Sequence, residues 1–184
     1  MTYEPQEDSY MLLEQVKQLA FGKVLDVGTG SGILAKEAVY SHEVEEVVAV
    51  DIDENVVEEL NKQDVKGLKV FQSDLFANIT EKFDTIIFNP PYLPLDENDK
   101  DAALDGGVKG YEVIEMFLKE AKKHLRTGGM ILMVFSNRTG KKEVDSIIKR
   151  EGYKAKELER KNIAFFEELY VYKIERERLA SPYA

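Results

Sequence analysis

Short apolar runs alternate along the chain with longer stretches in which apolar residues recur every three or four positions. That alternation predicts an α/β fold built on a mainly parallel sheet. The runs over 23–27, 47–51, 69–72, 85–89 and 130–135 have the length and the branched or aromatic content of strands. Each is followed by a helical or irregular crossover. A first helix is expected from about Ser9, whose hydroxyl can cap it, through the stripe Met11, Leu12, Val16 and Leu19 to a turn at Gly22. Further helices are predicted over 32–40, 55–63, 111–124 and 141–151, the last stopped by Gly152. Segments 153–158 and 168–174 alternate as two late strands, expected to pair as an antiparallel hairpin that finishes the sheet edge. The mixed-sign runs at 157–161 and 175–178 read as solvated surface. Between Pro90 and about Lys109 the pattern has neither period, and a stretch that long marks a functional or disordered loop.

With 184 residues and no repeat or linker, one domain over 1–184 is expected. Charge narrows the choice of partner. Lysine and arginine number 25 against 35 aspartates and glutamates, a formal charge of −10, which repels phosphate backbones at long range. A nucleic-acid substrate would need a local basic patch, and none is evident. The absence of cysteine excludes disulfides, thiol nucleophiles and cysteine-ligated metals, and the isolated His42 and His124 read as surface or helix-end residues, so no metal site is expected. The opening MTYEPQEDSY lacks the basic-then-apolar order of a signal peptide, and no apolar run approaches the ~18 residues of a membrane span. A soluble cytoplasmic chain is expected.

The segment VLDVGTGSGILA joins a buried strand to a helix through Gly28, Thr29, Gly30, Ser31 and Gly32. Glycines there permit a tight turn and let a ligand touch the main chain. The spacing departs from the dinucleotide form GxGxxG, and Asp26 inside the strand end suits a cationic group better than a pyrophosphate. Asp51 ends the second strand, followed by Ile52, where an acid can take both hydroxyls of a ribose. Asp53 is then free to cap the next helix. Asp74 ends the third strand and can accept from an exocyclic amine. Three acids thus fall at three successive strand ends, the rim where open α/β sheets bind ligands.

These residues resemble the class I S-adenosylmethionine-dependent methyltransferases, a three-layer Rossmann-like fold, in the right order along the whole chain. The resemblance implies that Asp26 and the 28–32 turn face the methionine part of S-adenosyl-L-methionine, Asp51 the ribose, and Asp74 with the Leu75 backbone the adenine, with Ile52 and Asn89 as further cofactor-binding residues.

The fourth strand runs into Asn89-Pro90-Pro91-Tyr92. Two prolines remove two backbone donors and fix the chain direction. The Asn89 side-chain oxygen and the Pro90 carbonyl are then acceptors that can converge on the two hydrogens of a planar NH2 group, while Tyr92 offers a flat face to rest it on. Transfer from a sulfonium is an in-line displacement that draws its rate from alignment and electrostatics, with no strong base required at the outset. In methyltransferases that this chain resembles, NPPY marks transfer to adenine N6, guanine N2 or the glutamine side-chain amide.

Two other segments, YEPQEDSYMLLE at 3–14 and DGGVKGYEVIEMFL at 105–118, are similar to HemK-type protein-glutamine methyltransferases, in particular the short archaeal and eukaryotic branch. That branch modifies the Gly-Gly-Gln loop of class I peptide chain release factors. Ser9 stands where it usually has threonine, so a cofactor-facing hydroxyl is implied there. A small zinc-binding activator covering an apolar sheet edge is the implied partner, and the N-terminal helical domain of bacterial relatives is not expected. The acidic stretch with Asp96, Glu97, Asp99 and Asp101 suits a protein substrate better than RNA. Methylation of an adenine or guanine amine in RNA or DNA is the alternative, and a non-catalytic cofactor-binding subunit the second.

Overall fold

The apolar runs form the centre of one seven-stranded sheet in the structure, a computed structural model that describes residues 5–91, 110–164 and 166–177. The strands are β1 (Gly22–Val27), β2 (Val44–Asp51), β3 (Leu68–Gln72), β4 (Phe83–Phe88), β5 (Leu125–Ser136), β6 (Tyr153–Ala164) and β7 (Glu167–Arg176). The helices are α1 (Glu7–Leu19), α2 (Ile33–Val39), α3 (Glu54–Lys62), α4 (Glu112–His124) and α5 (Lys141–Arg150). Spatial order is β3-β2-β1-β4-β5-β7-β6, with the first five strands parallel and β7 antiparallel to both β5 and β6. The predicted mainly parallel sheet with an antiparallel C-terminal hairpin is the observed one.

Because successive strand residues point to opposite faces, the central strands divide their side chains between two cores. Leu25, Val27, Ile86 and Phe88 pack with Phe117, Leu118 and Ile147 under α4 and α5. Val24 and Ile87 face the other way, against Met11, Leu12, Val16, Leu34 and Ala35 of α1 and α2. This parity positions the site: Asp26 and Asn89 continue the second set and so lie on the α1–α2 side. Leu12 and Val16 are wholly buried there, and truncating such a leucine to alanine costs about 2–5 kcal/mol.

Several expectations need correction. Ser9 does not cap α1, which begins at Glu7 after Gln6 as N-cap; Ser9 is inside the first turn, 2% exposed, with its hydroxyl turned to a tertiary contact. β5 starts five residues before the predicted run, because Arg126-Thr127-Gly128-Gly129 reads as a turn while the chain already pairs Leu125 with Phe83. The run at 157–161 is not merely a surface ending but the middle of β6, a long edge strand that tolerates polar residues because one neighbour supplies its pairing. Most of the predicted 90–109 loop lies outside the described residues.

Candidate active site

Register aligns the carboxyl ends of the parallel strands. Val27 lies opposite Val50 on one side and Phe88 on the other, and Asp51 lies opposite Gln72. The turn after β1, Asp51, the segment after β3 and Asn89 therefore share one rim. The chain winds outward from β1 through β2 and β3, then returns to add β4 on its other side, so the β1–β4 boundary is the switch point where such sheets open a crevice.

The turn is built for close approach. Gly28 has φ +66°, and a β-carbon added there would meet nothing within 4 Å, so the space beside it is open. Gly32, the N-cap of α2, is glycine for a packing reason: at φ +73° its β-carbon would fall 2.7 Å from Leu60 Cδ2. Below the turn, Asp26 is 1% exposed and accepts a 2.7 Å hydrogen bond from the Thr29 hydroxyl. Its Oδ1 is buried without a hydrogen-bond partner among the described residues. Burial is the main cause that pushes the Asp26 carboxyl up to about 7; the Thr29 hydroxyl and Ala35 N–H pull it down, and the Asp51 charge adds to the rise. An orphan carboxylate oxygen beneath an open glycine turn is suited to a cation.

Asp51 closes the next strand and is 9% exposed. Its Oδ2 accepts from Gly30 N–H at 2.8 Å and its Oδ1 from Asp53 N–H at 3.0 Å, which aims the carboxylate along the rim with lone pairs still available for a diol. Asp53 caps α3 through Asn55 N–H at 2.9 Å, as its position predicts. Beside it Ile52 presents an apolar side chain that is 64% exposed. After β3, Asp74 is exposed and Leu75 takes φ +45°, a left-handed conformation costly for a leucine. Buried Ser73 holds it, donating to Leu75 carbonyl oxygen at 3.0 Å and accepting from Asn78 N–H at 3.0 Å. Backbone at Asp74–Leu75 is thereby held at the rim.

At the end of β4, Asn89 Nδ2 donates to Asp8 Oδ2 at 3.3 Å and to Ser9 Oγ at 3.2 Å. A carboxylate can only accept, so the amide is oriented with its NH2 toward α1 and its oxygen away. Asn89 Oδ1 is buried and has no hydrogen-bond partner among the described residues. Pro90 is buried and Pro91 half-buried behind it; Tyr92 lies outside the described residues, as do Asp96, Glu97, Asp99 and Asp101. Asp8 is the residue that sequence reasoning missed. Its position beside Ser9 is a signal in hindsight, but only the packing of α1 on β4 shows that a 3% exposed carboxylate meets Asn89.

Arranged along one rim are thus a site for a cation, an acid for a diol, and an amide oxygen awaiting an N–H donor. A methyltransferase small domain family model matches residues 4–163. A provisionally assigned protein N5-glutamine methyltransferase from Methanocaldococcus jannaschii is 38% identical over 178 residues, covering 92% of this chain and 89% of that protein. A release factor glutamine methyltransferase from Lactococcus lactis is 31% identical over 64% of this chain, which spans about half (48%) of that enzyme's length. Among solved structures, the E. cuniculi Mtq2–Trm112 complex responsible for methylation of the eRF1 translation termination factor superposes with a TM-score of 0.77 at 28% identity, covering 96% of this chain and 99% of that one. With its sheet order, its rim of glycines and acids, and these relatives, the chain belongs to the methyltransferase small domain family.

Proposed function

We propose that this protein is an S-adenosyl-L-methionine-dependent N-methyltransferase acting on the side-chain amide of a glutamine, in the Gly-Gly-Gln loop of a class I peptide chain release factor. The observation that carries the reading is the Asn89 amide, fixed by Asp8 and Ser9 with its buried oxygen left as an acceptor. A glutamine NH2 has two hydrogens to satisfy, and Asn89 Oδ1 with the Pro90 carbonyl are the acceptors that fit them. The motif assigns Tyr92 the part of a flat face for that amide.

The bound cofactor supplies an electrophilic methyl on a sulfonium and leaves as S-adenosyl-L-homocysteine. The protein's part is to bind and orient. Asp26, Gly28, Thr29, Gly30 and Gly32 hold the methionine end, Asp51 and Ile52 the ribose, and Asp74 with Leu75 the adenine. As the amide nitrogen gains the methyl it becomes positive, and Asn89 Oδ1 and the Pro90 carbonyl stabilise that charge until the extra proton is lost. Ser9, whose hydroxyl accepts from Asn89 Nδ2, is the further cofactor-facing residue of this reading.

The partner reading goes with the function. Among the described residues no other strand pairs with the outer edge of β3, which carries half-buried Leu68 and Val70 and exposed Phe71. A small zinc-binding activator seated on such an edge would form a heterodimer; support for a partner comes from the Mtq2–Trm112 complex. No described helix is long and apolar enough to cross a membrane, and a cytoplasmic catalytic domain over 1–184 is the reading we adopt.

The test is transfer of a labelled methyl group from S-adenosyl-L-methionine to lysate of the source organism by the parent protein and by Asn89→Ala. Protease-sensitive, ribonuclease-resistant label in a release-factor-sized band, absent with the variant, is expected. Ribonuclease-sensitive label would move the substrate to RNA, and equal labelling by the variant would overturn the role of Asn89.

A further inference from the structure

The β6–β7 hairpin reaches past the rim that carries the site. Ser136, the last residue of β5, lies opposite Leu169, so the residues that precede Leu169 in β7 extend beyond the end of β5. Two irregularities occur in that extension. The register slips between Asn162 and Ala164, leaving Ile163 unopposed and 37% exposed. Phe166 adopts φ +68° and is 98% exposed.

The exposed Phe166 does not serve the fold. A left-handed position suits glycine or asparagine, and an aromatic ring so fully in water contributes no burial. Bulges next to binding sites commonly re-aim a side chain, and strain at an exposed residue points outward from the fold. The hairpin end is nevertheless well held. Asn137 donates through Nδ2 to Phe166 carbonyl oxygen at 2.8 Å and accepts through Oδ1 from Glu168 N–H at 3.1 Å. Ser136 Oγ donates to Glu167 Oε1 at 2.9 Å, and Arg138 pairs with Glu167 at 3.4 Å. From the other side Lys161 pairs with Glu7, the neighbour of Asp8 that orients Asn89. The same first turn of α1 therefore contacts both the hairpin and the reacting amide's acceptor.

We propose that Ile163 and Phe166 form a docking point for the protein substrate, receiving an apolar side chain of the release factor beside the loop that carries the target glutamine. The inference rests on the glutamine reading above. Position supplies the occupant: a surface tied to the Asp8–Asn89 turn is met by whatever polypeptide delivers its glutamine to Asn89. Glu167 beside the ring is paired with Arg138, and the net charge of −10 on the chain disfavours a phosphate backbone as the occupant.

The experiment compares steady-state kinetics on purified full-length class I release factor for the parent, Phe166→Ser, Phe166→Gly and Ile163→Ser, each isolated from its native host so that any partner subunit stays attached. The expected result is a rise in KM for the release factor on the order of five- to fiftyfold for the Phe166 variants, with kcat within about twofold. The melting temperature of Phe166→Gly should equal or exceed that of the parent, which separates docking from a structural role. An unchanged KM with an active parent would overturn this inference alone. So would a fall in kcat that tracks a fall in melting temperature, or loss of self-association or of a bound subunit in the variants, since the hairpin would then serve another contact. A parent inactive on the release factor would overturn the glutamine reading and this inference together.

Discussion

Asn89 at the end of β4 and Asp8 in the first turn of α1 lie 81 positions apart in sequence, and their side chains meet through Nδ2 and Oδ2 at 3.3 Å. On the proposed reading of the site, the contact decides which end of the asparagine amide faces the substrate. An isolated asparagine could present either end. Beside a buried carboxylate only the NH2 can face inward, so the oxygen is left for the incoming N–H. Asp8→Ala should lower kcat on the order of 100-fold by freeing the amide to rotate, while leaving cofactor affinity within a few-fold. Asp8→Asn, which keeps an acceptor, should recover part of the loss. Single-turnover rates together with calorimetric cofactor affinity would check it, and a loss shared equally by both variants and by cofactor binding would reduce Asp8 to a fold residue.

If Asp26 holds the cofactor as proposed, binding is sensitive to pH near neutrality. Its carboxyl titrates at about 7, so the charge that attracts a cationic ligand is mostly absent at pH 6 and mostly present at pH 8. Affinity for S-adenosyl-L-methionine should therefore rise by up to ~10-fold across that window, and Asp26→Asn should flatten the profile. The ligand-free protein should respond with the opposite sign. Between the ordinary carboxylate range and about 7, the folded chain keeps a proton that the unfolded chain has released, so stability falls as pH rises through that window and then levels. Calorimetric titrations and melting temperatures at a series of pH values would read both effects.

The two ends of the glycine turn should fail differently. Gly32→Ala meets both a left-handed backbone and the Leu60 side chain, and a loss of about 2 kcal/mol of folding stability is expected. Gly28→Ala meets only the backbone penalty, about 1 kcal/mol, because its β-carbon enters open space. On the proposed cofactor site that space takes the ligand, so Gly28→Ala should lose more cofactor affinity than Gly32→Ala while remaining the more stable. Denaturant melts and binding titrations on the two variants would rank them.

Thr85 anchors the entry to β1. It is fully buried in β4, and its hydroxyl donates to Phe21 carbonyl oxygen at 3.0 Å and accepts from Phe21 N–H at 3.1 Å. Thr85→Val keeps the shape and removes both bonds, so a destabilisation of about 1–2 kcal/mol is expected. Equilibrium unfolding should show it with cofactor affinity little changed.

By itself the sequence determined what depends on short-range pattern. Apolar runs bounded by turns marked the inner strands, because a strand buried on both faces leaves few polar positions to confuse it. The glycines after β1 and the acids at Asp26, Asp51 and Asp74 were legible because their chemistry is local to a strand end. Asp53 was legible as a cap for the same reason. Only the tertiary structure decided the rest. Residues 125–129 and 157–164 join strands although their sequence reads as turn and surface, since pairing with a neighbour supplies the hydrogen bonds that apolar content did not advertise. Ser9 exchanged a cap for a contact with Asn89 once α1 packed on β4. Asp8 and Phe166 belong to the same class: one is selected by a partner 81 positions away and the other by the place where the hairpin ends, and neither distance is written in the residues that flank them.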